Sequence, residues 1–531
     1  DLALGHEAAG LRPLDVAIGF YEVFEHRFYN ACLYATLGGD SAGIKHVHRK
    51  VFLPTYGVFD EKRFVDRGRE VRAFDTGWGR AAMLICEDAW HSLTATLAAL
   101  DGAQLLILPS ASPARGTSPS DSGVALPESA VRWERIVRGL AEEHGMYVAY
   151  ASLVGFEGGK GFPGGSLVVD PQGELLVRGP LFEEAIVTAE VNPDEITRAR
   201  SEAPLLSDLE AVLPHLAEGL SASRAGKTRN AVKWDPATNG GAAGAAPVSR
   251  LHVVGAGQDA GEPLALDLEL ARRWLVSFLK DEVVSRRGFH KGVVGLSGGV
   301  DSALTATLAV QALGKENVIG VRMPYRTSSP ESLAHASLVI DQLGIPSVTV
   351  DISAAVDGYL EQAKDADPAR QGNVMARERM IVLFDLSAKH RALPLGTGNK
   401  SERLLGYFTW HADDAPPVNP LGDLFKTQVW ALARHVGVPE VIVTKPATAD
   451  LIHGQTDEGD FGISYPKADR ILYYLLRGLH PEEIIARGFT AAEVALVEGR
   501  LESTHWKRRL PTVAVLSQTA IGEFYLRPVD Y

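Results

Sequence analysis

The chain has 531 residues, of which 46% are hydrophobic and 22% charged, and its formal net charge is −13. That length allows two or more domains, and the acidic balance argues against a nucleic-acid partner. Its two cysteines cannot build a disulfide framework, and no apolar run of about 18 residues or basic-then-apolar leader is present, so a cytoplasmic protein without a membrane partner is expected.

Apolar runs recur along residues 1–221 and predict strands separated by helices, one of them at Glu128–His144. The predicted strands are Asp15–Gly19, Ala31–Leu37, Ala81–Ile85, Leu105–Leu108, Tyr147–Leu153, Ser166–Asp170 and Ala185–Val191. Alternating elements of this kind are typical of a layered α/β domain. Cys32 falls inside one of these strands, where we expect it to pack in the core.

The other cysteine, Cys86, ends an apolar strand and is followed by Glu87, Asp88 and a possible helix start. A thiol in that setting can act as a nucleophile, although most lone cysteines are small buried hydrophobic residues. The residues alone leave both interpretations open.

Two motifs, K-x-x-L-P-T-Y-x-x-F-x-E at residues 50–61 and I-C-E-D-x-W at residues 85–90, resemble the nitrilase superfamily, in particular the glutaminase domain attached to NAD synthetases. The resemblance implies Cys86 as nucleophile, Lys50 as the cation that stabilises the tetrahedral oxyanion, Glu61 as a supporting glutamate, and Tyr56 and Ser112 as glutamine-binding residues. A free thiol has a pKa of about 8.5, so it needs a nearby ammonium and a carboxylate base to react at neutral pH.

The chain departs from that family at the general-base glutamate, which the family carries in a P-E-L segment at the end of an early strand. No such segment is present, so either the first strands are missing or the glutaminase is inactive. We interpret the chain as lacking its first residues, because a sheet without its first strands would leave its core open to water.

Residues 222–262 change in character, since Asn239–Pro247 is rich in glycine and alanine and cannot build a core. We therefore predict a glutaminase domain at 1–221, a linker at 222–262 and a second domain at 263–531. Leu270, Trp274 and Phe278 fall on one face of a predicted helix that opens this second domain.

The second domain contains Gly295–Ser302, a glycine-rich turn between the apolar pair Val293-Val294 and a helical pattern that Gly314 closes. Free backbone N–H groups at such a helix start can bind phosphate. Ser297 and Ser302 add hydroxyl donors, and the Asp301 carboxylate predicts an intervening Mg²⁺. The turn matches neither the Walker spacing nor G-x-G-x-x-G, but GLSGGVDS resembles the pyrophosphatase loop of enzymes that split ATP into AMP and pyrophosphate.

Further motifs, in order from Gly372 to Glu458 and at Trp506–Arg508, resemble the NAD synthetase family over essentially all of residues 263–531. The resemblance implies a doubly wound, Rossmann-like parallel sheet, and at least a homodimer formed through this domain. It implies ATP binding by Gly295, Ser297, Gly298, Gly299, Asp301, Ser302, Thr397, Lys426 and Thr448, Mg²⁺ binding by Asp301 and Glu402, and deamido-NAD⁺ binding by Arg377 and Lys507. The predicted fold class is therefore α/β, with an N-terminal nitrilase-like α-β-β-α sandwich.

A second departure concerns nicotinate recognition. The family has a lysine shortly after G-Y-F-T and an acid before P-L-G-D-L, whereas here Trp410 follows Thr409 and Pro417 lies in a segment without that acid. His411, Asp413 and Asp414 are candidates to replace these groups.

The resemblance as a whole implies ATP-dependent amidation of deamido-NAD⁺ through an acyl-adenylate, with ammonia released from glutamine and passed between the domains through a tunnel. The products are NAD⁺, AMP, pyrophosphate and glutamate. Two alternatives are an ammonia-only synthetase with an inactive N-terminal scaffold, which the missing glutamate favours, and an ATP-dependent amidotransferase for another acid, which Trp410 favours.

Overall fold

The structure is a computed structural model that describes residues 11–56, 59–117, 126–224, 262–448 and 456–508. The chain divides into two compact units. Unit 1 comprises Asp1–Ala114, Ser129–Val154 and Phe162–Ala260, and unit 2 comprises Arg115–Glu128, Gly155–Gly161 and Gly261–Tyr531. Most of the predicted 222–262 linker lies outside the described residues, so the domain boundaries stay predictions.

The first two strands have 11 residues each, and the others have seven or fewer. In chain order they are β1 (Leu14–Phe24), β2 (Arg27–Leu37), β3 (Gly43–Arg49), β4 (Ala73–Thr76), β5 (Gly79–Met83), β6 (Leu105–Ser110), β7 (Tyr147–Ser152), β8 (Val154–Glu157), β9 (Lys160–Pro163), β10 (Leu167–Val169), β11 (Leu175–Arg178), β12 (Lys291–Gly295), β13 (Val318–Arg322), β14 (Ser347–Thr349) and β15 (Ala392–Pro394).

Helices fill the intervals between the strands. They are α1 (Ser92–Leu100), α2 (Glu128–His144), α3 (Pro193–Glu202), α4 (Leu205–Arg224), α5 (Leu268–Lys280), α6 (Val300–Leu313), α7 (Pro330–Leu343), α8 (Ser353–Leu360), α9 (Pro368–His390), α10 (Lys400–Leu405), α11 (Lys426–His435), α12 (Glu440–Val443), α13 (Asp457–Phe461), α14 (Tyr465–Leu476), α15 (Pro481–Ile485) and α16 (Ala491–Ser503). Short 3₁₀ turns lie at Glu61–Arg63, Cys86–Trp90, Lys315–Asn317 and His505–Arg508, and a π-turn at Asp281–Ser285. No helix in this described part is long and apolar enough to cross a membrane.

Unit 1 contains two sheets. β1, β2 and β3 form an antiparallel sheet in that order, with Gly19 opposite Cys32 and Cys32 opposite His48. The second sheet has the order β11-β10-β7-β6-β5-β4, and its central strands β5, β6 and β7 run parallel. Cys32 is fully buried on β2, as predicted. The central parallel strands bring the carboxyl ends of β5 and β6 to one edge of their sheet.

The strand predicted at Ala185–Val191 is wrong, because these residues form no regular element and Ile186 is 95% exposed. An isolated apolar run becomes a strand only where a neighbouring strand accepts its backbone hydrogen bonds. Among the described strands, none pairs with this segment.

Unit 2 is built on one parallel sheet with the strand order β14-β13-β12-β15. From β12 the sheet continues through β13 to β14 on one side, whereas β15 lies on the other side of β12. The direction in which strands are added therefore reverses between β12 and β15. Ligands of doubly wound sheets bind beyond the carboxyl ends of the strands at this reversal. The glycine-rich turn and the Gly396–Asn399 loop both start there.

Candidate active sites

The first candidate site surrounds Cys86, at the end of the segment that follows β5. Cys86 begins a 3₁₀ turn and has a φ of 47°, in the left-handed region that side-chain-bearing residues rarely adopt. Such strain persists only where the surroundings fix it, and it is frequent at functional sites. The predicted succession of strand, cysteine and helical turn is present.

Lys50 follows β3 directly and is 1% exposed. Its Nζ donates to Glu61 Oε1 at 2.7 Å and to Oε2 at 2.8 Å. A buried ammonium requires a paired carboxylate, and Glu61 supplies one. The structure therefore brings together two of the residues that the motif at 50–61 predicts for catalysis.

The charges around Cys86 act in opposite directions on its thiol. Burial raises the thiol pKa above its ordinary value; Lys50 and the Ser110 hydroxyl lower it, and Glu61 raises it. The net effect is a raised pKa, so the resting group is a protonated thiol. Reaction at neutral pH then requires a base to remove the proton and a cation to stabilise the negative charge.

The two predicted glutamine-binding residues lie in different surroundings. Tyr56 is 59% exposed, and its pKa is raised by burial and by the neighbouring Glu87 carboxylate. Ser112 lines a small cavity together with Trp133 and Tyr150, whose rings stack at 5.0 Å.

Sequence reasoning missed three residues of this site: Glu87, Ser110 and Trp133. Ser110 ends β6, the parallel neighbour of β5, so the rule that parallel strands present their carboxyl ends at one edge could have found it. Glu87 directly follows the cysteine, but no spacing rule marks it. The buried Trp133 lies on α2 and looks like any core aromatic residue in the sequence.

The second candidate site lies in unit 2, where the glycine-rich turn joins β12 to α6. A cavity of about 310 Å³ opens there. Its lining includes these predicted nucleotide and metal ligands: Gly295, Ser297, Gly299, Asp301, Ser302, Thr397, Glu402, Lys426 and Thr448. These residues come from three loops and three helix starts, which the fold brings to one place.

Gly298 is needed for a reason that the sequence did not reveal. Its φ is 78°, and a Cβ at this position would lie 2.2 Å from the Ser332 backbone oxygen on α7. The close approach at Gly298 is therefore to another helix, so any substitution would push the turn away from α7. The hydroxyl of Ser302 accepts from Ser297 N at 3.3 Å and donates to Gly299 O at 3.0 Å, which holds the turn in shape.

A charged cluster closes one side of the cavity. Lys426 Nζ is 2.5 Å from Asp301 Oδ2 and 3.2 Å from Glu402 Oε1, and Asn399 donates to Asp301 Oδ1 at 2.9 Å. Burial is the main cause that raises the pKa of Glu402 to about 8; Lys426 opposes it, and Asp301 and Asp457 add to it. Burial opposes the charge of Lys426, but the carboxylates outweigh it and raise the lysine pKa above its ordinary value.

The predicted dinucleotide ligands Arg377 and Lys507 lie beside residues 406–410 and not in the cavity lining. Arg377 donates to the Trp410 backbone oxygen at 3.2 Å, and Lys507 donates to Gly406 O at 3.0 Å and Phe408 O at 3.2 Å. Both cations therefore fix the segment that departs from the family pattern.

Asp413 and Asp414, which the sequence offered as replacement acids, both line the cavity. Asp413 accepts from Thr409 N at 2.7 Å, and burial raises its pKa. Arg379, Lys445 and Asp457 also line the cavity; the sequence placed them in motifs but gave them no role. Lys445 was visible only as part of a motif, and its Nζ donates to Ser332 Oγ at 2.9 Å, across 113 residues of chain.

Comparison with known proteins matches a family to each half of the chain. The profile of the NAD synthase family matches residues 272–511, and that of the carbon-nitrogen hydrolase family matches residues 14–201. An NH(3)-dependent NAD(+) synthetase of Trichlorobacter lovleyi is 48% identical over 269 residues, which cover 50% of this chain and 98% of that protein. The chain belongs to the NAD synthase family. Another NH(3)-dependent NAD(+) synthetase of this family, from Chlorobaculum parvum, is 45% identical over 262 residues, which cover 49% of this chain and 94% of that protein.

Solved structures extend the likeness to both units. A glutamine-dependent NAD+ synthetase from Acinetobacter baumannii, solved with adenosine diphosphate, is 25% identical, with a TM-score of 0.63 over 94% of this chain and 81% of that chain. One from Cytophaga hutchinsonii is 17% identical with a TM-score of 0.65, which shows the fold alone. The α/β fold class and the resemblance to a glutaminase fused to an NAD synthetase are thus confirmed, and the chain is an NAD synthetase, a carbon–nitrogen ligase.

Proposed function

We propose that this NAD synthetase amidates deamido-NAD⁺ with ATP and takes its ammonia from glutamine hydrolysed in unit 1. The observation that carries the proposal is that one chain contains both sites. Unit 1 has a thiol beside a buried Lys50–Glu61 pair, and unit 2 has a glycine-rich turn facing carboxylates and Lys426. The NH(3)-dependent relatives match only about half of the chain and do not account for the first site.

In unit 2 a carboxylate must become a better electrophile before an amine can replace its oxygen. The nicotinate carboxylate attacks the α-phosphorus of ATP, pyrophosphate leaves, and ammonia then attacks the acyl-adenylate and releases AMP. The N–H groups of the glycine-rich turn and the Ser297 hydroxyl bind the phosphates. Lys426, Thr397 and Thr448 line the same cavity, where the lysine stabilises the negative charge that develops on the leaving group.

Asp301 and Glu402 fit a Mg²⁺ ion by their chemistry. Both supply the hard oxygen donors that Mg²⁺ prefers, and the raised pKa of Glu402 indicates that added positive charge would stabilise its ionised form. Among the described residues no cluster of three or more acids, histidines or cysteines forms a metal site, so the phosphates of ATP would complete the ligand set. When bound, the ion would neutralise phosphate charge in the cavity.

In unit 1 the Cys86 sulfur attacks the amide carbon of glutamine, the thiol proton passes to the departing nitrogen so that it leaves as ammonia, and water then hydrolyses the glutamyl thioester to glutamate and the free thiol. Lys50, held by Glu61, faces the negative charge of the tetrahedral intermediate. Tyr56 and Ser112 are the proposed glutamine ligands. The P-E-L segment that carries the general base in the family does not occur in this sequence.

Binding of deamido-NAD⁺ is proposed to involve Arg377 and Lys507 through the segment they hold, with Asp413 and Asp414 supplying the acids.

We also propose at least a homodimer formed through unit 2, since Ile381 on α9 is 62% exposed. Large exposed apolar side chains in one region mark interaction surfaces, and Phe384 on the same helix is 44% exposed. Sedimentation of wild type against Ile381→Asp tests this: the variant is expected to dissociate, and an unchanged mass would contradict it.

The deciding experiment measures NAD⁺ formed from deamido-NAD⁺, ATP and Mg²⁺, once with glutamine and once with an ammonium salt. The wild type is expected to give product in both, and Cys86→Ala only with ammonium. Glutamine-driven product from Cys86→Ala would refute the role of the thiol. Product with ammonium alone from the wild type would favour the inactive scaffold, and product in neither would favour another acid substrate.

A further inference from the structure

Asp88, the third residue of the turn that Cys86 begins, is fully buried and accepts hydrogen bonds on both carboxylate oxygens. Its Oδ1 accepts from Val51 N at 3.0 Å and Phe52 N at 2.8 Å. Its Oδ2 accepts from Ile85 N at 3.1 Å and interacts with His48 Nε2 at 2.9 Å.

These four groups belong to two segments of the chain. Ile85 precedes Cys86, whereas His48, Val51 and Phe52 flank Lys50 on both sides. A carboxylate that only capped its own turn would bind the Ile85 amide and nearby groups. Three of the four partners instead come from the segment of Lys50, about 37 residues earlier in the chain.

We propose that Asp88 is a positioning residue that holds the Lys50 segment against the Cys86 turn and so fixes the lysine beside the reacting thiol. The inference rests on the proposed glutaminase function of unit 1. Hydrogen bonds to an ionised acceptor are short and directional, and both Asp88 and His48 are buried, at 0% and 2% exposure, so water does not compete for them.

A carboxylate is required because the partners of the two oxygens are three backbone N–H donors and an imidazole nitrogen. An asparagine keeps one acceptor oxygen for Val51 and Phe52, but its NH₂ group would face the Ile85 N–H group. Two donors cannot bond to each other, so in this orientation the Ile85 contact is lost. The flipped amide keeps the Ile85 contact but turns its NH₂ group toward the Val51 and Phe52 N–H groups, so in either orientation part of the joint between the Lys50 segment and the cysteine turn is lost while side-chain volume is kept.

The test compares Asp88→Asn with the wild type in the full chain. The first readout is the rate at which iodoacetamide alkylates Cys86, followed over a range of pH around the ordinary thiol pKa. Cys32 does not interfere, because it is fully buried and its pKa is raised to about 11. The charged groups acting on Cys86 are Lys50 and Glu61, and Lys50 lowers the thiol pKa, so displacing Lys50 is expected to raise the apparent pKa.

The second readout is steady-state NAD⁺ formation. A misplaced group in an active site costs about 100-fold in rate, so kcat with glutamine is expected to fall by about that factor with little change in the KM for glutamine. The rate with ammonium is expected to stay unchanged. Asp101→Asn is the matched control, because Asp101 also accepts a backbone N–H, from Ala73 at 2.9 Å, but does not contact the Lys50 segment.

An alkylation profile of Asp88→Asn that superimposes on that of the wild type would overturn the inference, even if activity fell, since Asp88 would then act only on folding. If Asp88→Asn fails to fold, His48→Leu decides, because leucine has no group that can bond to Asp88 Oδ2 and one of the four contacts is lost. A raised apparent pKa at an unchanged melting temperature supports the inference, and an unchanged pKa refutes it. The alkylation profile needs no turnover, so it tests Asp88 even if the wild type does not hydrolyse glutamine.

Discussion

Replacing Lys426 by methionine tests the charged cluster of unit 2. Lys426 is 2% exposed, and its ammonium lies between Asp301 and Glu402, with the Tyr465 ring centroid at 5.4 Å. Methionine preserves most of the stem and removes the charge. The two carboxylates then remain buried without their cation.

Removing one partner of a buried ion pair costs about 3–5 kcal/mol. For a domain of about 150–250 residues, each kcal/mol lowers the melting temperature by about 2–4 °C, so the transition of unit 2 is expected to fall by about 6–20 °C. The loss should depend on pH. Glu402 has a folded pKa of about 8, above its ordinary value of about 4.3, so folding stability decreases as pH rises between these values. Lys426 lowers that pKa, so its removal should extend the decrease to higher pH.

The assay is thermal unfolding of the full chain, with the unit 2 transition identified as the one that ATP raises. Lys400→Met is the matched control, since Lys400 also pairs with an aspartate, Asp423 at 2.8 Å, but the Asp423 side chain is 97% exposed. An exposed pair contributes about 0–1 kcal/mol. Equal melting temperatures for the two variants, or a deficit that shrinks toward alkaline pH, would refute the reasoning.

Three further predictions concern single side chains. Lys50→Met should raise the apparent pKa of Cys86 in alkylation and reduce glutamine-driven activity by more than about 100-fold, with ammonium-driven activity as the control. Cys32, with its pKa raised to about 11, should resist iodoacetamide in native Cys86→Ala and react only after denaturation, which mass spectrometry of the labelled protein would show. Asp469→Ala should destabilise unit 2 by about 3 kcal/mol in thermal unfolding, because the buried carboxylate accepts from Thr427 N and Oγ1, both at 2.9 Å, and a smaller loss than for Lys400→Met would contradict this.

Local patterns in the sequence anticipated the parts of the fold that depend on near neighbours. The helix closed by Gly314 is α6, which ends at Leu313, and the glycine has a φ of 85° that favours glycine. The turn from β12 into α6 was visible from its glycines and the apolar pair before it. The family motifs then predicted functional residues, many of which lie together in the fold at the two candidate sites.

Contacts between residues that are far apart in the chain could not be predicted from the sequence. The bond from Lys426 to Asp301 spans 125 residues, and the bonds from Asp88 to Val51 and Phe52 span 37 and 36 residues. In the sequence Asp88 is only an acidic residue two positions after a cysteine. Periodicity and spacing do not predict which backbone amides will donate hydrogen bonds to a buried carboxylate. The segment at 185–191 failed for the same reason, since strand formation depends on a partner that composition does not specify.

The two buried lysines among the described residues, Lys50 and Lys426, indicate how an acidic chain can stabilise negatively charged intermediates. With a net charge of −13, the protein has no general attraction for anions, so positive charge must be concentrated where negative charge develops. A buried ammonium is unstable alone, and each lysine is paired with a glutamate, Glu61 or Glu402. The pairing holds the lysine in place before substrate arrives, and the low-dielectric surroundings strengthen its interaction with an oxyanion or a leaving pyrophosphate that forms beside it. A variant that removes either glutamate alone should therefore weaken catalysis through its lysine, with a larger effect on kcat than on KM.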